Sequence, residues 1–270
     1  AAILTSILLV AFIIKYLSFK RFKSVSCYSV MFAILATLLY ISCAIFGASI
    51  GWMRLYDNNT FQYLFNVLGK GCHYYGQFFC YCYLLNRLDD GFKDTEYRLS
   101  NKMFSILAIL LFMYFIFSGM LVVVYISDIS VHYNFRTIER WFTLIFDVLI
   151  TSLLLIIFIN KSYKASKTIH KISWIDDLEH KMEVENVEKN KILNVISKVT
   201  ILSIILIVVT QLYLIVSTIN WLVTINVSNV SDYGNAIRYA ADTCAKAIHL
   251  FIASLCILLG FECTSPVQER

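Results

Sequence analysis

Asp242, Lys246 and His249 stand at i, i+4 and i+7 in an apolar run near the end of the chain. That spacing puts all three on one face of a helix. Ionisable groups within apolar spans are informative because burying one costs about 2.5 to 3.5 kcal/mol even on a permissive insertion scale. Asp147, Gln77 and Gln211 are further polar side chains in the middle of three other apolar runs. Asp147, Gln77, Asp242 and Lys246 fall on the same side of the midpoints of their runs, and Gln211 falls close to its own. With Tyr74, Tyr75, Tyr81 and Trp221 nearby in sequence, these groups can line a small-ligand cavity between bundled helices. The plainer alternative neutralises Asp242 with Lys246 along one helical turn and gives the glutamines interhelical hydrogen bonds. It leaves Asp147 without an assigned partner. Both readings turn these side chains toward the interior of a bundle.

Lys246 also admits a covalent chemistry, since a desolvated lysine can lose its proton and condense with an aldehyde. The run Asp242-Thr243-Cys244-Ala245-Lys246 resembles the seventh-helix motif of microbial rhodopsins, where an Asp four residues before the lysine helps to balance a retinal Schiff base. The match covers five residues. The third span has no carboxylate before Asp89, and the sixth offers only Tyr213 and Trp221 in place of an aromatic cage. Retinal on Lys246 is therefore an alternative, and the leading expectation is a protein without a cofactor.

The elements that position these residues are membrane spans. A helix needs about twenty apolar residues to cross a hydrocarbon core of roughly 30 Å, and 59% of this chain is hydrophobic. Seven such runs are read at about 1–18, 27–50, 67–88, 103–127, 141–160, 197–222 and 237–261. The one proline, Pro266, lies beyond the last of them, so each reads as an uninterrupted helix. The fold class is an all-α seven-transmembrane bundle. The chain opens at Ala1 inside the first run, without a charged leader or cleavage site, which points to a truncated first helix.

Orientation follows from the basic residues. With the N-terminus outside and the C-terminus cytoplasmic, the inner segments 15–26, 87–102 and 161–198 and the tail hold 17 of the 23 Lys and Arg. The outer connections hold only Arg54, Lys70, Arg136, Arg140 and Arg238. Retention of basic residues on the cytoplasmic side sets this orientation. The net charge of +5 reports topology, not affinity for nucleic acid. The sequons at Asn58, Asn226 and Asn229 fall on the outer side, where glycosylation takes place; Asn160-Lys161-Ser162 abuts the inner side and is expected to be unused. Cys43, Cys80, Cys82, Cys244 and Cys256 lie in spans, where apolar burial is the ordinary role. Cys72, at an outer end, finds no partner in the second outer loop. Cys263 at the inner end of the seventh span can carry palmitate or remain a free thiol.

Two inner features can meet a cytoplasmic partner. Arg87, followed by Asp89 and Asp90, emerges at the membrane boundary, where an arginine snorkels to the headgroups or locks onto a neighbour. In the long segment 161–198, Ile169, Ile172, Ile175, Leu178 and Met182 recur at three- and four-residue spacing. The fifth helix is thus expected to continue into the cytosol with one apolar stripe, as a solvated surface or a docking face.

The stretches YLLNRLDDGFKDTEYRLSNK and KILNVISKVTILSIILIVVTQLYLI, closing the third span and opening the sixth, look like the divergent seven-helix receptor-like proteins of single-celled eukaryotes. The arrangement of spans and loops resembles the G-protein-coupled receptor superfamily. The resemblance implies a plasma-membrane receptor, not an enzyme, with an outer cavity for an extracellular ligand and inner loops for a heterotrimeric G protein. Arg87 stands about where that superfamily's rhodopsin-like branch has the Arg of Asp-Arg-Tyr, but its neighbours here are Asn86 and Leu88. The branch's Cys-Trp-x-Pro and Asn-Pro-x-x-Tyr motifs are missing, so proline-hinged activation does not carry over. The alternative class is a transporter or channel, whose usual repeats and broken helices the sequence does not display.

Overall fold

Polar side chains buried in a membrane bundle must bond to one another, and in this protein those bonds fix the direction of the helices. The computed structural model describes Ile7 and residues 27–55, 59–92, 99–126, 133–176, 183–226 and 232–262. Among them are six helices: α1 (Cys27–Leu55), α2 (Asn59–Phe92), α3 (Asn101–Ile126), α4 (Tyr133–Asp176), α5 (Glu183–Asn226) and α6 (Asp232–Glu262). They correspond to the second through seventh expected spans; the first, 1–18, lies outside the described residues except for Ile7.

α1, α3, α4 and α5 are long and apolar enough to cross a membrane, which marks the chain as a helical membrane protein. Their outward faces suit lipid. α3 exposes Ile106, Ile109, Phe112, Met113, Ile116, Met120 and Val123 and buries Leu107, Leu111, Tyr114, Ser118 and Leu121. Apolar residues on both faces mean that the helix meets protein on one side and hydrocarbon on the other. In α6 the apolar stretch shortens to Cys244–Ile257. α2 and α6 fall short of the other four because they carry Lys70, His73, Gln77 and Arg87, and Asp242, Lys246 and His249.

Each helix packs on the next, and α6 closes the ring against α1. Ser29 pairs with Asp90 and Tyr40 with Gln77, so numbering rises along α1 as it falls along α2: the two are antiparallel. Tyr74 meets Glu139 and Tyr81 meets Asp147, so α2 and α4 run parallel. His73 meets His249 and Tyr83 meets Ile257, which makes α6 parallel to both. α3 and α5, each joined by short segments to two of these parallel helices, return in the opposite sense. The described bundle alternates up and down.

α2 is its axis. Side chains of α2 reach α1 through Gln77, α3 through Tyr75 and Tyr81, α4 through Tyr74 and Tyr81, α5 through His73, and α6 through Tyr83. The tightest seam is with α1, where Ala33 and Ala36 are fully buried and small side chains let the backbones approach. Hydroxyls in the bundle are satisfied locally: Thr37, Ser118, Thr210 and Ser254 donate to the carbonyl four residues back, a necessity where no water competes. The expected long inner segment is mostly helix, since α4 continues to Asp176 and α5 begins at Glu183. The side chains of the expected stripe from Ile169 to Met182 lie outside the described residues.

Gly76 allows the α1–α2 seam to close. A Cβ there would stand 2.8 Å from the Tyr40 ring, whereas one at Gly47 would meet nothing within 4 Å. Gly76→Ala is expected to lower unfolding free energy by about 1 to 3 kcal/mol through overpacking, while Gly47→Ala stays within about 1 kcal/mol of the parent. Thermal unfolding of both variants in detergent checks this, and equal midpoints would show that Tyr40 yields without cost.

Candidate functional site

Five hydrogen bonds thread four helices at mid-bundle. Tyr40 of α1 donates to Gln77 Oε1 at 2.9 Å, Gln77 Nε2 donates to the Tyr81 hydroxyl at 2.8 Å, and Tyr81 donates to Asp147 Oδ1 at 2.8 Å. From the other side, Gln211 of α5 donates to the Thr151 hydroxyl, which donates to the Asp147 carbonyl. Every donor in both arms points toward Asp147. Hydrogen bonds in series polarise one another, so the two arms concentrate positive potential at that residue. Tyr40, Tyr81, Gln77, Asp147 and Thr151 are buried. Among the described residues no basic side chain pairs with Asp147. The protein holds this carboxyl with hydroxyl and amide dipoles.

The helical register explains the construction. Gln77 and Tyr81 are four residues apart on α2, and Asp147 and Thr151 four apart on α4, so each pair lies on one face. Two parallel helices thus present matched polar pairs. Tyr114 of α3 packs edge-on against Tyr81, with ring centroids 5.8 Å apart, and fixes its ring where the hydroxyl reaches Asp147.

Beside this relay lies an aromatic cluster drawn from α1, α2, α5 and α6. His249 stacks on Tyr213 at 4.9 Å, and both pack edge-on against His73, at 6.2 and 5.7 Å. Tyr40 also packs edge-on against His249 at 6.1 Å, joining the cluster to the relay. Thr210 gives its proton to the Leu206 carbonyl, so the 3.2 Å contact with His249 Nε2 requires Nε2 to donate. His249 Nδ1 is then a buried acceptor, without a hydrogen-bond partner among the described residues.

α2 carries polar groups toward both ends as well. At one end Lys70 pairs with Glu139 Oε1 at 3.4 Å, and the Tyr74 hydroxyl bonds the same oxygen. Toward the other, the Tyr83 hydroxyl donates to the Ile257 carbonyl at 3.1 Å and Ser29 donates to Asp90 at 2.9 Å. Arg87 is 3% exposed. It is enclosed by the bundle and does not snorkel outward.

Of the expected site residues, Gln77, Asp147 and Gln211 are brought into one network, and His249 sits in the adjoining cluster. Lys246 is half-buried one turn from His249. Asp242 belongs to α6, but its side chain lies outside the described residues, so its pairing with Lys246 does too. Asn58, Asn229 and Cys263 are outside the described residues, and Asn226 ends α5 with its side chain undescribed. Sequence reasoning missed Tyr40, His73, Thr151, Thr210 and Glu139. Tyr40 was legible only as a partner across from Gln77, and Thr151 only as the hydroxyl one turn from Asp147 that meets Gln211. Glu139 sits between Arg136 and Arg140 and reads there as part of a polar loop. Among the described residues no three His, Cys, Asp or Glu side chains gather as a metal site.

Compared with models of protein families, with curated proteins and with solved structures, the chain matches none.

The relay predicts coupling between α1 and α4. Tyr81→Phe removes a donor from a buried carboxyl and is expected to cost about 1 to 3 kcal/mol of stability. Because Gln77 bridges the two tyrosines, combining it with Tyr40→Phe is expected to depart from additivity by about 0.5 kcal/mol or more. Equilibrium unfolding of the two single variants and the double variant measures this, and strictly additive losses would disconnect the arms.

Proposed function

We propose that this chain is a seven-helix membrane receptor resembling the G-protein-coupled type, with its N-terminus outside, its C-terminus in the cytoplasm and residues 1–18 as its first crossing. A ligand arriving from the exterior biases the packing of α2 against α4, α5 and α6. The inner ends, with Arg87 and the segment 161–198, engage a heterotrimeric G protein. The observation that carries this reading is the position of α2, whose side chains touch all five other described helices.

A continuous helix transmits displacement along its axis. From Lys70 to Arg87 is seventeen residues, or about 25 Å at 1.5 Å per residue, so one rigid element joins a group near the outer edge to one near the inner edge. A ligand shifts such a bundle only by its difference in affinity for the two packings, and coupling of about 1 to 3 kcal/mol is ordinary. The relay supplies a discrete element to bias, because Gln77, Asp147 and Gln211 are already bonded within the protein. A ligand group that competes for one of these bonds frees a buried donor or acceptor, which must find another partner. The expected contacts at Asp147, Gln77, Gln211, Asp242, Lys246 and His249 act here by rearranging an existing network.

Nucleotide exchange on a panel of heterotrimeric G proteins, with the receptor in nanodiscs, tests the coupling. Arg87→Ala is expected to reduce exchange at least about tenfold, and Asp147→Asn, which replaces the carboxyl that accepts from Tyr81 with an amide carrying a donor of its own, to change its ligand dependence. Unchanged exchange in both variants would take these residues out of the mechanism.

Topology is checked separately. Cysteine labelling in sealed membranes is expected to place residue 58 and the 93–100 connection in opposite compartments. Finding them in the same one would remove the proposed ligand and signalling faces together.

A further inference from the structure

The surroundings of Asp147 suit one protonation state of a carboxyl better than the other. Its side chain is buried in α4, and the groups that face it are neutral: the Tyr81 hydroxyl of α2 at 2.8 Å, the Tyr114 hydroxyl of α3 and, further off, the Tyr40 phenol of α1. Gln211 of α5 reaches Thr151 and not the carboxyl, and among the described residues α6 brings no charged group to it. On α4 itself the nearest charged residues are Arg140 and Glu139, seven and eight residues earlier, about 10 Å or more along the axis. Glu139 is bonded to Tyr74 and Lys70, and the Arg140 side chain lies outside the described residues. An ionised carboxylate offers about four acceptor sites, and without a countercharge it needs them filled to stay charged in an apolar surrounding. Tyr81 fills one. The Thr151 hydroxyl ends on the backbone carbonyl of Asp147, which ties the helix and not the charge. Tyr114 stands beside the carboxyl, yet its buried hydroxyl makes no hydrogen bond among the described residues. A carboxylate would draw that proton in. A carboxylic acid has an O–H of its own to give, and the Tyr114 oxygen is an open acceptor for it.

We infer that Asp147 is a proton-binding site: in this packing it is the neutral acid, one oxygen accepting from Tyr81 and the other directing its O–H toward the Tyr114 hydroxyl. The proton does here what a buried lysine does elsewhere, at no cost of burying a second ion. Releasing it takes water, both to receive the proton and to solvate the anion, and water reaches the carboxyl only where α4 parts from α2 and α3. The closed and parted packings therefore differ by one proton. By linkage, an effector that selects the parted form binds more tightly as pH rises, and one that selects the closed form binds more tightly as pH falls. The link to a ligand rests on the receptor reading; the proton site does not.

Infrared spectroscopy of the full chain in an alkyl maltoside detergent reads the protonation state directly, because a carboxylic acid has a carbonyl stretch that a carboxylate lacks. At neutral pH, where exposed carboxyls are ionised, the parent is expected to show such a band, shifted in deuterium oxide, and Asp147→Asn to lose it. Should Asp147→Asn fold poorly, Asp147→Glu is expected to move the band to another frequency. Tyr114→Phe, which removes the acceptor of the acid O–H, is expected to shift it as well. Thermal unfolding against pH gives a second readout. The unfolded chain gives up this proton near about pH 4 while the folded form keeps it. The contribution to stability is thus full below that pH and is lost as pH rises toward the point where the folded form ionises, by up to about tenfold in the folding equilibrium per pH unit. Asp147→Asn is expected to remove that slope. No acid band in the parent at neutral pH, a band that persists in Asp147→Asn or stays unmoved in both Asp147→Glu and Tyr114→Phe, or a slope unchanged in Asp147→Asn would overturn the assignment. An acid band without nucleotide exchange on any G protein would leave the proton site standing and remove the receptor reading. Exchange by a parent that lacks the band would do the reverse.

Discussion

The hydrogen bond from Tyr81 to Asp147 is the interaction on which the interior depends. A carboxyl in a bundle surrounded by lipid has no water to solvate it, and desolvating such a group without a partner costs several kcal/mol. A lysine or arginine beside it would cancel its charge at the cost of burying a second ion. This protein instead gives Asp147 oriented dipoles, and each of those dipoles needs a donor of its own. The requirement passes outward from Tyr81 to Gln77 and then to Tyr40 on α1, and through Thr151 to Gln211 on α5. The carboxyl and the backbone carbonyl of one residue thus tie together side chains of four helices.

That chain explains why α2 occupies the centre. A helix that must present Gln77 to α1, Tyr81 to α3 and α4, His73 to α5 and Tyr83 to α6 has little surface left for lipid. Its composition follows: it is long enough to cross a membrane but less apolar than α1, α3, α4 or α5. The lipid-facing work falls to those four, whose exposed Ile, Leu, Phe and Val form the outer surface. Gly76 serves the same end, since the Tyr40 ring lies directly on the α2 backbone there and could not otherwise bring its hydroxyl to Gln77.

Much of this was legible in the sequence, for reasons that particular residues make clear. The apolar runs located all six described helices because a membrane demands length and hydrophobicity, which composition records. Gln77, Asp147 and Gln211 stood out because polar groups in such runs must find partners. Tyr81 reads as a cavity-lining residue, but Tyr40 and Thr151 did not stand out, because they are unremarkable residues in a span until the neighbouring helix is in place. Rotation about each helix axis, which decides who meets whom, is set by packing and leaves little trace in an apolar sequence. Glu139 illustrates a second limit. α4 begins eight residues before the span expected at 141, and the extension turns what reads as a polar loop into the wall of a buried ion pair. Arg87 shows a third. Its position at the membrane edge is plain from hydropathy, but its burial follows from the helices that close around it.

The two ends of α2 are held by different physics, and that difference sets where the bundle yields. Toward Arg87 the contacts among described groups are bonds to a backbone carbonyl and from a serine, Tyr83 to Ile257 and Ser29 to Asp90. Such bonds are short-ranged and directional, and they weaken steeply once geometry is lost. At the Lys70 end a charge pair stands beside the hydrogen bond from Tyr74 to Glu139, and Coulomb attraction falls only gradually with distance. A displacement at the Lys70 end keeps part of that attraction, while the same displacement near Arg87 loses its bonds. The relay between them is held by five hydrogen bonds across four helices, so no one of its members turns without breaking a bond to the next. A bundle tied through α2 by directional bonds from Ser29–Asp90 through Tyr81–Asp147 to Tyr74–Glu139 rearranges by exchanging partners, because bonds of that kind weaken steeply when stretched.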